Sequence, residues 1–488
     1  MVEPKAWQVT AGSAALGLTL AAVAVVAAGP WDSGQRKAER EWAVAQNRAG
    51  GAHHDPSAPR TPAPAPSAAG VLRALTAPDT PRTGATPGGK APADLGRTLG
   101  ALLDAEALGP SRTASVVDTA TGEVLYGKGA ATPMTPASTV KIATMVAALS
   151  ALGADHRIAT TVMATPDQRK LTLVGGGDAT LDRKRLAALA GDAARALRDS
   201  GITTVELRYD TSLYSGPREH PIGPNDNIAP VVPLMAGQGR LDASTTGPAP
   251  RSGNPAGDAA RTFAHLLRER GVRTTEPPSA GRPAKGAEPL ARTYSAPLAD
   301  LVERALTESD NDIAESLARQ TAVAGGEPAS FAGAGRAVTA QLAKLRLPLK
   351  GTRFADGSGL NRKDKASAAL LTALLTRAAD PGHPELRPVL TGLPVAGFTG
   401  TLRSRYGDAA PATGLIRAKT GTLTGVDTLA GTVVDGEGRL LAFAFLAGAT
   451  KAPDTARTAL DRLSAALVPR TASAPPPAPV PARGSAAP

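Results

Sequence analysis

Three short stretches of this chain carry residue types that together can transfer an acyl group. Ser138-Thr139-Val140-Lys141 sets a hydroxyl and an amine three positions apart. On a helix such a pair shares one face, so the amine can approach the hydroxyl. A serine needs a base to become a nucleophile, and lysine serves only if burial or a nearby cation depresses its pKa toward neutrality. A helix N-terminus would also favour negative charge developing on Ser138. Ser309-Asp310-Asn311 lies between the helical patterns LADLVERAL and DIAESLARQ. Ser309 can pass a proton there, and Asn311 can donate to and accept from a substrate amide. Lys419-Thr420-Gly421-Thr422 follows LIRA and reads as a strand. Its Lys419 and Thr420 offer a cation and a hydroxyl to a carboxylate, and Gly421 lets another backbone come close. Each stretch alone has an ordinary alternative: helix caps at the two serines, solvated side chains at the two lysines.

The elements that must position these groups follow from the apolar pattern. Ser138 to Leu152 has apolar residues at helical spacing and stops at Gly153. Upstream, Ser115–Asp118 and Glu123–Gly127 flank a Thr-Ala-Thr-Gly turn, which predicts a hairpin. Downstream, Thr428–Val434 and Arg439–Gly448 flank Asp435-Gly436-Glu437-Gly438, a longer hairpin beside the Lys419 strand. Between these ends, Leu171–Asp178 reads as a strand and glycine turn. A helix with Leu186, Leu189, Ala193 and Leu197 on one face comes next, then the alternating strand Val205–Asp210. A further helix over 261–270 ends at Gly271, so the middle of the chain is a small α/β unit. No repeat at fixed period is present.

Composition narrows the chemistry. The 488 residues contain no cysteine, which excludes disulfides, thiolate catalysis and Cys-ligated metal sites. The six histidines form no His-Glu-x-x-His pair. With 42% hydrophobic residues but only 3% aromatics, the core must be mostly Ala, Val and Leu. The net charge of +11 is spread among interleaved acids. There is no basic run with aromatics of the kind that grips nucleic acid, so no nucleic-acid partner is expected.

Taken together and in this order, the three stretches match the signature of active-site-serine penicillin-recognising enzymes. The chain resembles the D-alanyl-D-alanine carboxypeptidase/endopeptidases of the penicillin-binding protein 4 type. Gly175-Gly176-Gly177-Asp178, Asp356-Gly357-Ser358-Gly359-Leu360, Leu393–Gly397, Gly400-Thr401-Leu402 and Ala418–Leu423 are similar to further segments of that family. Ser138 and Ser309 are 171 residues apart, Ser309 and Lys419 110. The long first interval agrees with that family's inserted domains, whereas class A β-lactamases have a much shorter one. Nor does a Glu-x-x-x-Asn motif between Asn311 and Lys419 offer those lactamases' site for a deacylating water.

The resemblance implies an α+β, transpeptidase/β-lactamase-like fold: an antiparallel five-stranded sheet flanked by helices, a helical subdomain and an inserted small α/β region. It implies Ser138 as nucleophile, Lys141 as acylation base and Ser309 as proton relay. Asn311, Lys419, Thr420, Gly421 and Thr422 would bind substrate, with the N–H groups of Ser138 and Thr422 as oxyanion hole. Peptidoglycan stem peptides are the implied substrates and β-lactams the implied inhibitors; no metal or organic cofactor is implied. A serine β-lactamase and a non-catalytic cell-wall-binding protein remain as alternatives. The Gly175–Gly177 run lacks both phosphate-loop frames and reads as a turn. Ser358 has no Gly-x-Ser-x-Gly frame and reads as structural, and Asp356 is not needed as a triad acid because a Ser–Lys system uses no histidine.

Residues 1–30 are expected to be a signal sequence or membrane anchor, since Ala11 to Gly29 is a 19-residue apolar run. About 20 residues span a bilayer, and a signal h-region is shorter. Residues 31–93 read as a flexible Pro/Ala-rich linker, 94–160 and 290–468 as two parts of a catalytic domain, 161–289 as the insertion, and 469–488 as a disordered tail. Arg36, Lys37 and Arg40 outnumber Lys5, which alone would keep the body cytoplasmic. The implied substrate lies outside the membrane and decides for the extracytoplasmic cell envelope, anchored or secreted.

Overall fold

The computed structural model describes residues 93–468. The expected export segment over 1–30, the linker up to residue 92 and the tail over 469–488 lie outside the described residues. Among the described residues no helix is long and apolar enough to cross a membrane.

The chain forms α1 (Ala93–Leu103), the hairpin β1 (Ser111–Asp118) and β2 (Val124–Lys128), and then a central helix α2 (Lys141–Leu152). The inserted region comprises β3 (Ala159–Ala164), β4 (Lys170–Val174), α3 (Arg183–Asp199), β5 (Thr204–Asp210) and α4 (Pro255–Glu269). It ends with the short strands β6 (Arg273–Thr274) and β7 (Ser279–Ala280) and with β8 (Glu288–Tyr294). Helices α5 (Leu298–Thr307), α6 (Asn311–Ala324), α7 (Phe331–Lys344), α8 (Ala368–Ala379) and the single turn α9 (Pro388–Thr391) follow. Strands β9 (Ile416–Leu423), β10 (Val426–Val434) and β11 (Leu440–Gly448) and helix α10 (Pro453–Ala465) complete the body.

Five strands pair antiparallel in the order β2-β1-β11-β10-β9. Strands β10 and β11 are buried almost end to end. A strand covered on both faces reads as a continuous apolar run, which is why RLLAFAFLAG does not alternate. Side-chain direction still alternates. Phe443 and Phe445 stack in one core with Leu460 and Leu463 of α10 and Leu99 and Leu103 of α1. The small residues Ala442 and Ala444 face the other core, with Leu371, Leu374 and Leu375 of α8. This architecture is the α+β arrangement expected from the sequence, an antiparallel five-stranded sheet flanked by helices.

The insertion builds its own sheet, in the order β6-β5-β4-β3-β8, with β7 also on β5. Strands β4 and β5 run parallel, joined by α3, whose Leu186, Leu189, Ala193 and Leu197 are buried. The sheet begins at Ala159 and ends at Tyr294, slightly outside the expected 161–289, because β3 and β8 pair with each other across that boundary. The Gly175–Gly177 run is a packing corner. A Cβ at Gly176 would lie 1.9 Å from the Ala159 carbonyl oxygen, and Gln320 Nε2 of α6 donates to the Gly176 oxygen at 2.8 Å.

Helix α2 is buried on every side from Lys141 to Leu149. A helix apolar all round belongs in the middle of a fold. It starts one turn later than the sequence pattern predicts. Ala137–Val140 form a 3₁₀ turn, because Ala137 has φ +47° and the Thr139 hydroxyl donates to the Pro136 oxygen at 2.7 Å.

Candidate active site

Ser138 sits on that 3₁₀ turn, half-buried, with Lys141 one turn away at the start of α2. Lys141 Nζ lies 3.2 Å from Ser138 Oγ, 2.6 Å from Asn311 Oδ1 and 2.6 Å from the Ser358 carbonyl oxygen. Three acceptors thus surround one amine. Lys141 has no solvent exposure. Burial lowers its pKa to about 8, partly opposed by the negative charges of Asp356, Asp310, Glu315 and Asp364. Desolvation disfavours the charged form, so the base that Ser138 requires is produced by the site's dryness.

Ser309 precedes α6 with φ +57°, a left-handed conformation that costs a non-glycine residue strain. Asp310, not Ser309, caps α6, its side chain accepting the Ile313 N–H. Freed from capping, Ser309 Oγ accepts from Lys419 Nζ at 2.8 Å. Lys419 is also fully buried, and its remaining bond goes to the Thr420 oxygen at 2.9 Å. Burial, then the neighbouring Lys141 charge, pushes its pKa well below the usual lysine range.

Strand β9 is the edge of the large sheet. Pro394–Ala396 cover its first part, through Ala396 N–H to Ile416 O and Ala418 N–H to Pro394 O. Backbone direction alternates along a strand, so the N–H groups of Thr420 and Thr422 point to the same outer edge beyond that cover. Gly421 is required by proximity: a Cβ there would meet Thr428 Oγ1 at 2.2 Å, the Pro136 oxygen at 2.7 Å and Ser138 N at 3.0 Å. The Thr428 hydroxyl in turn ties the Pro136 oxygen to β10 at 2.8 Å. The result is a cleft of about 580 Å³ lined by Ser138, Ser309, Thr420 and Thr422, by Thr401, whose hydroxyl accepts from Thr420 Oγ1 at 2.8 Å, and by Arg457 and Arg462.

All eight residues singled out in the sequence therefore converge. Asn311 is engaged more fully than expected, with Oδ1 on Lys141 and Nδ2 donating to the Asn227 oxygen at 3.0 Å. Sequence reasoning passed over the Ser358 carbonyl. The Ser358 hydroxyl is structural, as expected, and donates to Asp356 at 3.1 Å, but its backbone oxygen holds the base. The flanking glycines were the available signal, since a Cβ at Gly359 would fall 2.1 Å from the Ala137 oxygen. Glu315 was also missed; its Oε1 accepts the N–H groups of Gly357 and Ser358, both at 2.9 Å.

His220, Glu315 and Asp356 are the described residues close enough together to hold a metal ion. His220 Nε2 meets Asp356 Oδ2 at 2.8 Å, and Nδ1 accepts from Ile222 N–H at 3.2 Å. Asp356 also accepts the N–H groups of Gly359 and Asn361. His220, Asp356 and Glu315 Oε1 are engaged by protein groups, which makes the cluster an internal brace for the 356–361 loop, while Glu315 Oε2 is buried without a hydrogen-bond partner.

The family model for the D-Ala-D-Ala carboxypeptidase 3 (S13) family matches residues 96–252 and 235–467. Carboxypeptidase DacB of Mycolicibacterium smegmatis is 38% identical over 440 residues, 86% of this chain and 91% of that protein. A D-alanyl-D-alanine carboxypeptidase of Actinomadura sp. is 30% identical over 439 residues, 71% of this chain and 80% of that protein. The crystal structure of penicillin binding protein 4 from Haemophilus influenzae shares the fold with a TM-score of 0.64 at 23% identity, covering 75% of this chain and 97% of that one. By the extent of these matches, the chain belongs to the D-Ala-D-Ala carboxypeptidase 3 (S13) family.

Proposed function

We propose that the protein is a serine-type D-alanyl-D-alanine carboxypeptidase/endopeptidase that acts on peptidoglycan stem peptides through an acyl-enzyme on Ser138. The observation that carries this reading is the fully buried Lys141 amine, 3.2 Å from Ser138 Oγ and poised near neutrality. Ser138 Oγ attacks the carbonyl between two D-alanines and yields its proton to Lys141. The N–H groups of Ser138 and Thr422 stabilise the oxyanion, each such donor contributing about 10²–10³ in rate. The C–N bond breaks as the proton passes through Ser309 to the departing amine. Water then cleaves the ester and restores the Ser138 hydroxyl.

Lys419 and Thr420 receive the terminal carboxylate, whose charge relieves the repulsion between the two lysines. The second hydrogen of the Asn311 amide is directed to a substrate peptide oxygen. A penicillin acylates the same serine, and its tethered leaving group stays in the cleft. The substrate lies outside the cytoplasmic membrane, so the body works in the cell envelope, with the N-terminal segment as export signal or anchor.

The test is incubation with a pentapeptide ending in D-Ala-D-Ala and with a cross-linked muropeptide, products read by mass. Loss of one alanine, or separation of the two strands, is expected from the wild type and not from Ser138→Ala. A fluorescent penicillin should leave a long-lived adduct on Ser138. Rapid penicillin turnover would instead mean a β-lactamase, and no adduct with no product a non-catalytic wall-binding protein.

A further inference from the structure

The inserted region contributes no residue to the acyl-transfer steps above, yet two of its residues bond to the groups that hold the catalytic base in place. A neutral lysine amine has two hydrogens and one lone pair. In this site the two closest acceptors, Asn311 Oδ1 and the Ser358 oxygen, both at 2.6 Å, take the two hydrogens. The lone pair is then left facing Ser138 Oγ at 3.2 Å. Whatever fixes those two acceptors fixes the direction of the base.

Each acceptor is fastened from the insertion. The Asn227 carbonyl oxygen accepts from Asn311 Nδ2 at 3.0 Å, which sets the amide so that Oδ1 turns toward Lys141. His220, buried against the edge of the Phe331 ring, donates Nε2–H to Asp356 at 2.8 Å. Its tautomer is set because Nδ1 accepts the Ile222 N–H. Asp356 in turn holds the Ser358 hydroxyl and the Gly359 and Asn361 N–H groups, while Glu315 holds the Gly357 and Ser358 N–H groups, so this aspartate is one of two carboxylates that anchor the loop carrying the Ser358 carbonyl.

We propose that the His220–Asn227 segment of the insertion positions Lys141, with His220 acting through Asp356 on the Ser358 carbonyl and Asn227 acting on Asn311. The inference rests on Lys141 being the acylation base. His220 touches no reacting atom and is a positioning residue. Without its N–H, the buried Asp356 carboxylate keeps its bonds to its own loop but loses its tie to the insertion, so the loop shifts and the amine turns away from Ser138. A displacement of about 1 Å at a reacting group can cost up to about 10² in rate.

The experiment compares His220→Met, which keeps bulk but has no donor, with His220→Gln, whose Nε2–H can reach Asp356. Turnover of a D-Ala-D-Ala pentapeptide is measured per site titrated to completion with a fluorescent penicillin, so unfolded protein counts in neither quantity. The expected result is a fall in kcat of about tenfold or more for His220→Met with KM unchanged, and recovery to within about threefold for His220→Gln. Should the methionine variant not fold, His220→Asn, too short to reach Asp356, must show the same loss. Wild-type kcat in the donor-less variant, equal losses in both substitutions, or a loss confined to KM would overturn the inference. Absence of a wild-type adduct on Ser138 would overturn the proposed function itself, a separate outcome.

Discussion

The two sheets are covered very differently. In the five-stranded sheet, β10 and β11 are dry along almost their whole length, with helices on both faces. In the inserted sheet the outer strand β8 has no fully buried residue. The first sheet holds a desolvated lysine in place, and desolvation is what tunes the site. The second cannot do this with its strands. It reaches the site through the loops between β5 and α4, where His220, Asn227, Gln238 and Arg251 bond to Asp356, Asn311, Asp310 and Asp312. A dry layer thus sets the chemistry, and a wetter appended layer braces it.

The strongest way to break this contrast is Lys141→Met. Activity on a D-Ala-D-Ala peptide should fall by about 10²–10⁴, the range of a lost general base. Stability should move the other way. The folded pKa lies near 8, below the ordinary 10.5, so burial of the charge costs folding free energy in full below pH 8. That cost fades as pH rises from 8 to 10.5, and a shift of this size corresponds to about 3 kcal/mol. Thermal melts at pH 6–7 should therefore show the variant more stable than the wild type.

Gly421→Ala comes next. Its methyl would push β9 away from the Ser138 turn, and acylation by penicillin, followed as adduct formation against time, should slow by about 10². A smaller and graded effect is the pH dependence of kcat/KM. Only the neutral Lys141 amine accepts a proton, so the rate should rise about tenfold per pH unit and level off above about 8. A limb centred near 6 would point to a different base. The smallest effect belongs to the wet sheet. Arg292→Glu on β8 should leave kcat within about twofold and stability within about 0.5 kcal/mol, as for an ordinary surface site.

Much of this site was legible before any coordinates. The strand character around Lys419 and the apolar hairpin that follows come from side-chain periodicity, which is written in residue types, while the Ser138–Lys141 pair is a short motif whose role came from the family resemblance. What stayed hidden has no such signature. The Ser358 oxygen is a backbone acceptor that any residue supplies. His220 and Asp356 are 136 positions apart, and neither motif order nor spacing relates them. The left-handed conformations of Ala137 and Ser309 are imposed by surrounding packing, against the preference of both residues. Positions along an element were readable, while attachments between elements were not.

One feature of β9 bears on which molecules can enter. Pro394–Ala396 occupy the edge beside Ile416–Ala418, and the strand ends at Leu423. Among the described residues the stretch of this edge beyond that cover is therefore Lys419–Leu423, about 17 Å of extended backbone. A stem peptide tail can lie down at that length. The edge thus matches extended backbone rather than helical backbone, since only an extended segment repeats its hydrogen-bonding groups at the strand's own spacing.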